Sequence, residues 1–325
     1  MTGRRGFLVA TAAGAITVAL PAVAQSSTYR IAWIAPGTKP EGQPLLDALS
    51  MGLRELRYVE GRNLVIDAWW GDHSNTRAAA LAGEMVAARP QVIVALGPTA
   101  IPASHATSTI PIVFAFSGDP IQAGFVRSFA HPGGNLTGIS FLALELVGKR
   151  IELLKTVMPD LKRIAIVANS QHPGDQAERR ASEEVANAMG LEIEYFEAAG
   201  VTQLSSALEA IPKTRCEAAV MFPIQSIISN SARIAAWSLK HRIPAVSGWA
   251  QFAEEGNLMS YGAGVRETFR RLATYVDRIL KGAKPSELPV ELPLHLALVI
   301  NLKTARALDI VVPQSLILRA DKVIE

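Results

Sequence analysis

The chain has one cysteine in 325 residues, Cys216, so a disulfide framework is excluded. A thiol that deep in the sequence also excludes the lipid-modified N-terminus of a lipoprotein. Charge imbalance is equally scarce: 32 Lys and Arg stand against 29 Asp and Glu, a formal +3. Arg4 and Arg5 are the only charged side chains before residue 25, and without them the balance is +1. The basic residues form no stripe or arm that could displace counterions from a phosphate backbone, which argues against a nucleic-acid partner.

Catalytic signatures are missing too. The sequence contains no Gly-x-Ser-x-Gly elbow, no His-Glu-x-x-His, no Gly-Lys-Thr phosphate loop and no Gly-x-Gly-x-x-Gly after the first apolar run. His73, His105, His131, His172, His241 and His295 show no metal-ligand spacing and read as surface or capping residues. Cys216 has no neighbouring His and reads as a structural thiol. No catalytic residue, metal or cofactor is expected.

The longest apolar run is at the N-terminus. Arg4-Arg5 precedes an uncharged stretch over 6–23, interrupted by Gly14 and Pro21, and Ala22-Val23-Ala24 has the small-x-small form of a cleavage site. Residues 1–24 are therefore expected to be a signal peptide cleaved after Ala24. Arg4-Arg5-Gly6-Phe7-Leu8 resembles a twin-arginine export signal, although Gly3 and Val9 depart from it and leave general secretory export open. The mature chain is expected to be free in the periplasm.

Beyond residue 25 the sequence alternates. Short β-branched apolar runs at 29–35, 63–69, 91–96, 112–116, 163–168, 191–196, 218–222 and 243–246 are separated by amphipathic stretches. Runs of that length and composition, alternating with helical patterns, predict buried parallel strands in a doubly wound α/β protein. The stretch 175–190 predicts a helix with Ala177, Ala181, Val185 and Ala188 inward, Glu178, Arg179, Glu183 and Glu184 outward, and Gly190 as its stop.

Four runs fall before residue 117 and four after Arg163, which predicts two similar lobes. We expect an N-terminal lobe from 25–135 plus about 262–285, and a C-terminal lobe from 142–257 plus about 294–325. Crossovers near 136–141, 258–261 and 286–293 would make a three-strand hinge.

Ligands of open α/β sheets bind beyond the carboxyl ends of the strands. The candidates there are Gly37, Gly97 and Thr99, then Ser117 and Asp119, from the first lobe, with Asn169, Pro223 and Trp249 from the second. Thr99 is placed to cap a helix beginning at Ala100, and Asp119-Pro120 has the form of an N-cap and first helical residue. Free N–H groups and hydroxyls there suit a carboxylate, and Asp119 could take an ammonium group, which favours an amino acid. Each is equally well read as an ordinary cap. Trp249 could stack on a ligand between lobes or simply pack.

The stretch Ile110-Pro111-Ile112-Val113-Phe114 through Asp119-Pro120, followed by His131-Pro132-Gly133-Gly134-Asn135-Leu136-Thr137-Gly138, closely resembles a family of bacterial ABC-transporter substrate-binding proteins. Further phrases agree, among them Gly148-Lys149-Arg150, Leu258-Met259-Ser260-Tyr261-Gly262 and Val299-Ile300-Asn301-Leu302-Lys303-Thr304-Ala305. The family is similar to the tryptophan-binding importer proteins. The resemblance implies a type I periplasmic-binding fold, a hinge that closes on a small molecule, an ABC permease as partner, and a monomer. It does not fix the ligand, because His131 stands where Arg is common and Gln225 lies in a variable loop; amino acids and aromatic carboxylates are the favoured classes.

Two other classes fit less well. A sugar-repressor-like regulator would need a helix-turn-helix where the apolar leader stands, and a secreted enzyme would need a constellation the strand ends do not show. A periplasmic sensor that presents its ligand to a receptor would have the same binding chemistry.

Overall fold

The computed structural model describes residues 28–141, 143–293 and 295–325. The leader read over 1–24 lies outside the described residues.

The first lobe begins β1 Tyr29–Ala35, α1 Lys39–Glu55, β2 Leu64–Trp70, α2 Asn75–Ala87, β3 Val92–Leu96, α3 Ala100–Ala106, β4 Ile112–Phe116 and β5 Leu136–Ser140. These five strands form a parallel sheet in the order β2-β1-β3-β4-β5. Every residue of β3 and β4 is buried, as expected of strands covered on both faces by helices. Alternate side chains divide between the faces. Ile31, Trp33, Val92 and Val94 pack in one core, and Ala32, Ile34, Ile93 and Ala95 in the other.

The second lobe follows with α4 Ala143–Val157, β6 Arg163–Ala168, α5 Asp175–Ala188, β7 Glu192–Glu197, α6 Val201–Ala210, β8 Ala218–Met221, α7 Gln225–Ile228, α8 Ser231–His241, β9 Ala245–Ser247, α9 Ala250–Glu254 and β10 Met259–Ala263. The chain then returns to the first lobe as α10 Val265–Leu280. It finishes in the second with β11 Leu296–Asn301, α11 Leu302–Ala307, α12 Gln314–Ile317 and β12 Lys322–Ile324. The second sheet runs β12-β11-β10-β9-β8-β6-β7, with β11 antiparallel to β10.

All eight expected strands are present within two residues of the expected bounds. The crossovers are placed differently. Leu136–Ser140 pairs with β4 along its whole length, so the chain leaves the first lobe only after Ser140. Residues 259–261 lie inside β10, between β9 and β11, so the return falls after Ala263. Extended apolar segments of this kind satisfy their backbone groups by joining a sheet instead of hanging between two. The third passage, 286–293, carries a bridge from Glu291 to Ile139.

Two helix expectations also change. No helix follows Asp119-Pro120: the segment makes one turn, closed by Ala123 N–H to the Asp119 carbonyl, and Gly124 at φ +73° redirects Phe125 into the core. In α5 the buried stripe is Asp175, Glu178, Ser182 and Ala186, so Glu178 faces inward. Ala177, Ala181 and Val185 flank that stripe, while Gly190 at φ +67° ends the helix as expected.

α10 is held to the first lobe by α1. A Cβ on Gly52 would overlap the Arg270 carbonyl and lie 2.8 Å from the Ala273 Cβ, so the two helices touch through backbone at this glycine. Overpacking of this kind costs about 1–3 kcal/mol. Gly52→Ala is expected to destabilise the protein by that amount in equilibrium denaturant unfolding; an unchanged midpoint would mean the contact is not tight.

Candidate functional site

Parallel strands deliver their carboxyl ends to one edge of a sheet, and here the edges of both lobes face each other. Between them lies a cavity of about 350 Å³, walled by both lobes. Its aromatic side is Phe141 and Trp249, one from each lobe, with ring centroids 6.4 Å apart. Phe141 rests in turn on Phe269 of α10.

Six of the eight expected residues line this cavity: Gly97, Thr99, Ser117, Asn169, Pro223 and Trp249. Thr99 does so with its hydroxyl committed. It lies in a 3-10 turn and donates to the carbonyls of Leu96 at 2.8 Å and Ile34 at 3.0 Å, tying the loop to β1 instead of capping α3. Gly97, at φ +55°, has open space where a Cβ would be and serves the turn.

Gly37 and Asp119 do not line it. A Cβ on Gly37 would stand 2.7 Å from Glu41 Oε2 and 3.1 Å from Gln225 Cγ, so this glycine admits a carboxylate and a second-lobe side chain to the cavity's edge. The Asp119 Oδ1 accepts from the N–H groups of Ile121 and Gln122, and the side chain faces a separate chamber of about 300 Å³ that Glu178 shares. Local turn chemistry has used it.

Three histidines read as surface or capping residues, His73, His105 and His172, line the cavity instead. His172, after β6, bridges the lobes: its Nε2 lies 2.8 Å from Ser117 Oγ. Its Nδ1 accepts from the Gly174 N–H at 3.2 Å, which makes Nε2 the protonated nitrogen and Ser117 the acceptor. The ring also stacks on Phe116. Burial pushes its pKa down to about 4. His73 follows β2, with Nε2 2.8 Å from Glu41 Oε2. That hydrogen bond raises the His73 pKa against the opposing effect of burial. For Glu41, burial pulls upward, but hydrogen bonds from His73 and Thr38 outweigh it and hold the carboxyl below its ordinary value.

Further contacts close the cleft. Gln225 Nε2 donates to the Glu41 carbonyl at 3.2 Å, and Asn75 Nδ2 to Gln171 Oε1 at 3.4 Å. The rule that points to Thr99 and Ser117 applies equally to residues after β2 and β6, so His73, Asn75 and His172 were within reach of the sequence. Metal-ligand spacing, which the histidines do not show, says nothing about ligand contact.

The family model described as ABC transporter substrate binding protein matches residues 39–324. A tyrosine-binding protein of Clostridioides difficile is 26% identical over 274 residues, 82% of this chain and 78% of that protein. A crystal structure of a conserved domain protein from Vibrio cholerae is 27% identical, with TM-score 0.84 over 91% of this chain and all of that one. An ABC domain from Streptococcus pneumonia in complex with L-Trp shares the fold at TM-score 0.83 and 24% identity, over 92% of this chain and all of that one.

The interlobe histidine makes the closed arrangement acid-sensitive. His172 binds its proton more weakly here than in an exposed setting, so its contribution is full above its ordinary value of 6.5 and is lost as pH falls toward about 4. The melting temperature is expected to drop across that window, and His172→Gln to flatten the drop. Superimposable pH profiles for the two proteins would show that His172 carries none of the effect.

Proposed function

Because the chain belongs to the ABC transporter substrate-binding protein family, we propose that it is the extracytoplasmic solute receptor of an importer, closing on a small organic ligand for delivery to a membrane permease. The observation that carries this reading is a cavity with walls drawn from both lobes, sealed by hydrogen bonds that separate when the lobes part. A ligand touching both lobes stabilises the closed form by its differential affinity for that form, and the permease then has a distinct surface to recognise. The leader-like sequence over 1–24 supports placement in the periplasm, and free hinging is compatible with a monomer.

The protein binds without turnover. Ser117 and His172 stand as close as a nucleophile and its base, but the pair is not organised for attack. Among the described residues no carboxylate orients the ring, since Nδ1 accepts from the Gly174 N–H, and a pKa of about 4 makes the imidazole a poor base.

Phe141 and Trp249 favour a ligand with a flat apolar body, which amino acids with aromatic side chains and aromatic carboxylates both supply. A thermal-shift screen of the chain from Gln25 against amino acids, aromatic carboxylates, peptides and nucleosides tests the proposal. One of the first two classes is expected to raise the melting temperature by several degrees at saturation. Trp249→Ala should weaken that ligand by about tenfold or more. A library without any stabilising compound would remove the basis for a solute receptor.

A further inference from the structure

The cavity's charge distinguishes between those two ligand classes. Among the described residues no Asp, Glu, Lys or Arg lines it, and its only ionisable side chains are His73, His105 and His172. The ammonium group of a zwitterion taken out of water is held best by a carboxylate partner. The nearest by sequence expectation, Asp119, lies in the neighbouring chamber with its Oδ1 already bonded. His172 is engaged at both ring nitrogens.

His73 is built differently. Its Nε2 is bonded to Glu41, whose carboxylate is itself fixed by the Thr38 N–H at 2.7 Å and the Thr38 hydroxyl at 2.8 Å. Nδ1 makes no hydrogen bond among the described residues. Asp72 and His73 both hold left-handed backbone, at φ +48° and +58°, which non-glycine residues adopt at a cost. The Asp72 N–H to the Gly37 carbonyl and the His73 N–H to the Pro36 carbonyl hold them there. The other charge acting on the ring is that of Asp72, which is ion-paired with Arg77, both more than two-fifths exposed, while across the cleft the neutral Gln225 packs against Gly37 beside it. Glu41 thus favours the protonated form of a ring at the cavity wall, and protonation turns the free Nδ1 into a hydrogen-bond donor.

We propose that His73 receives the ligand's carboxylate and that the cargo is an aromatic monocarboxylate without a charged amine. This rests on the cavity being the solute site. Binding then needs an ionised ligand and a protonated His73, so affinity is greatest above the carboxylic acid range, about pH 4 to 5, and falls as pH rises through the elevated His73 value.

Isothermal calorimetry on the chain from Gln25 decides the matter with matched probes: 3-phenylpropanoate and indole-3-propanoate, phenylalanine and tryptophan, phenethylamine and tryptamine. The acids are expected to bind about tenfold or more tightly than the amino acids, and the amines not at all. His73→Asn, chosen because asparagine tolerates left-handed backbone, should weaken the acids about tenfold and flatten the pH profile. Glu41→Gln should move the alkaline fall to lower pH, a shift a purely structural role would not produce, and the profile of the unaltered chain tests the same point without any substitution. Amino acids binding as tightly as the acids would overturn the proposal and leave the solute-receptor reading intact. An unaltered pH profile in His73→Asn would overturn the assignment of His73. Silence from all six probes would also overturn the proposal, with the wider thermal-shift screen still deciding whether the protein is a receptor.

Discussion

The two lobes meet where side chains are missing. Gly118, at the end of the first sheet, faces Gly174, at the start of α5, and a Cβ added to Gly174 would stand 3.1 Å from the Gly118 Cα. Backbone against backbone is the closest approach two elements can make, and it sets the distance between the sheets at the cavity's rim. The neighbours of both glycines then fall into contact: Ser117 with His172, and Phe116 stacked on the same ring. Gly37 does the same at the other rim, admitting Gln225 beside the Glu41 and His73 pair. A side chain at any of these points would hold the lobes apart and open the cavity to water.

The second lobe carries a matching constraint inside itself. A Cβ on Gly262 in β10 would overlap the Gly248 carbonyl, and one on Gly248 would lie 2.7 Å from Arg150 Nη2 and 2.8 Å from the Pro223 Cβ. Arg150 is fully buried and donates from Nε to the Tyr261 carbonyl, so a charged side chain fixes β10 beneath the loops that hold Pro223 and Trp249. Burial lowers the Arg150 pKa to about 10, still well charged at neutrality, and raises that of Glu178 to about 8 despite the pull of Arg150. Burial thus favours the protonated form of Glu178, against the pull of the Arg150 charge.

How much of this was written in the sequence follows from what each signal measures. Apolar runs report burial on two sides, so the central parallel strands were plain, and the rule of strand ends placed Ser117, Asn169, Pro223 and Trp249 at the cavity. β5 and β10 read as crossovers because extended apolar chain looks the same whether or not it finds a pairing partner. Glu178 looked solvated because periodicity scores a carboxylate as outward whatever lies opposite, and here Arg150 lies opposite. Asp119 was legible as a carboxylate near a strand end, but not as one whose turn would use it and point it at another chamber. His73 owes its character to Glu41, 32 residues away, a pairing that no local pattern announces.

Few hydrogen bonds cross the cleft among the described residues. Among the described residues, three hydrogen bonds between side chains or from side chain to backbone cross the cleft near the cavity, those of Ser117 with His172, Gln225 with the Glu41 carbonyl and Asn75 with Gln171, and the last is long at 3.4 Å. Each such bond contributes about 1 kcal/mol once the water it displaces is counted. Against them stands the ordering of three connecting segments and the burial of His172 away from water. A ligand shifts the balance between open and closed forms only by its difference in affinity for the two. In the proposed reading, the aromatic pair of Phe141 and Trp249 and the His73 ring are what would give a ligand that preference.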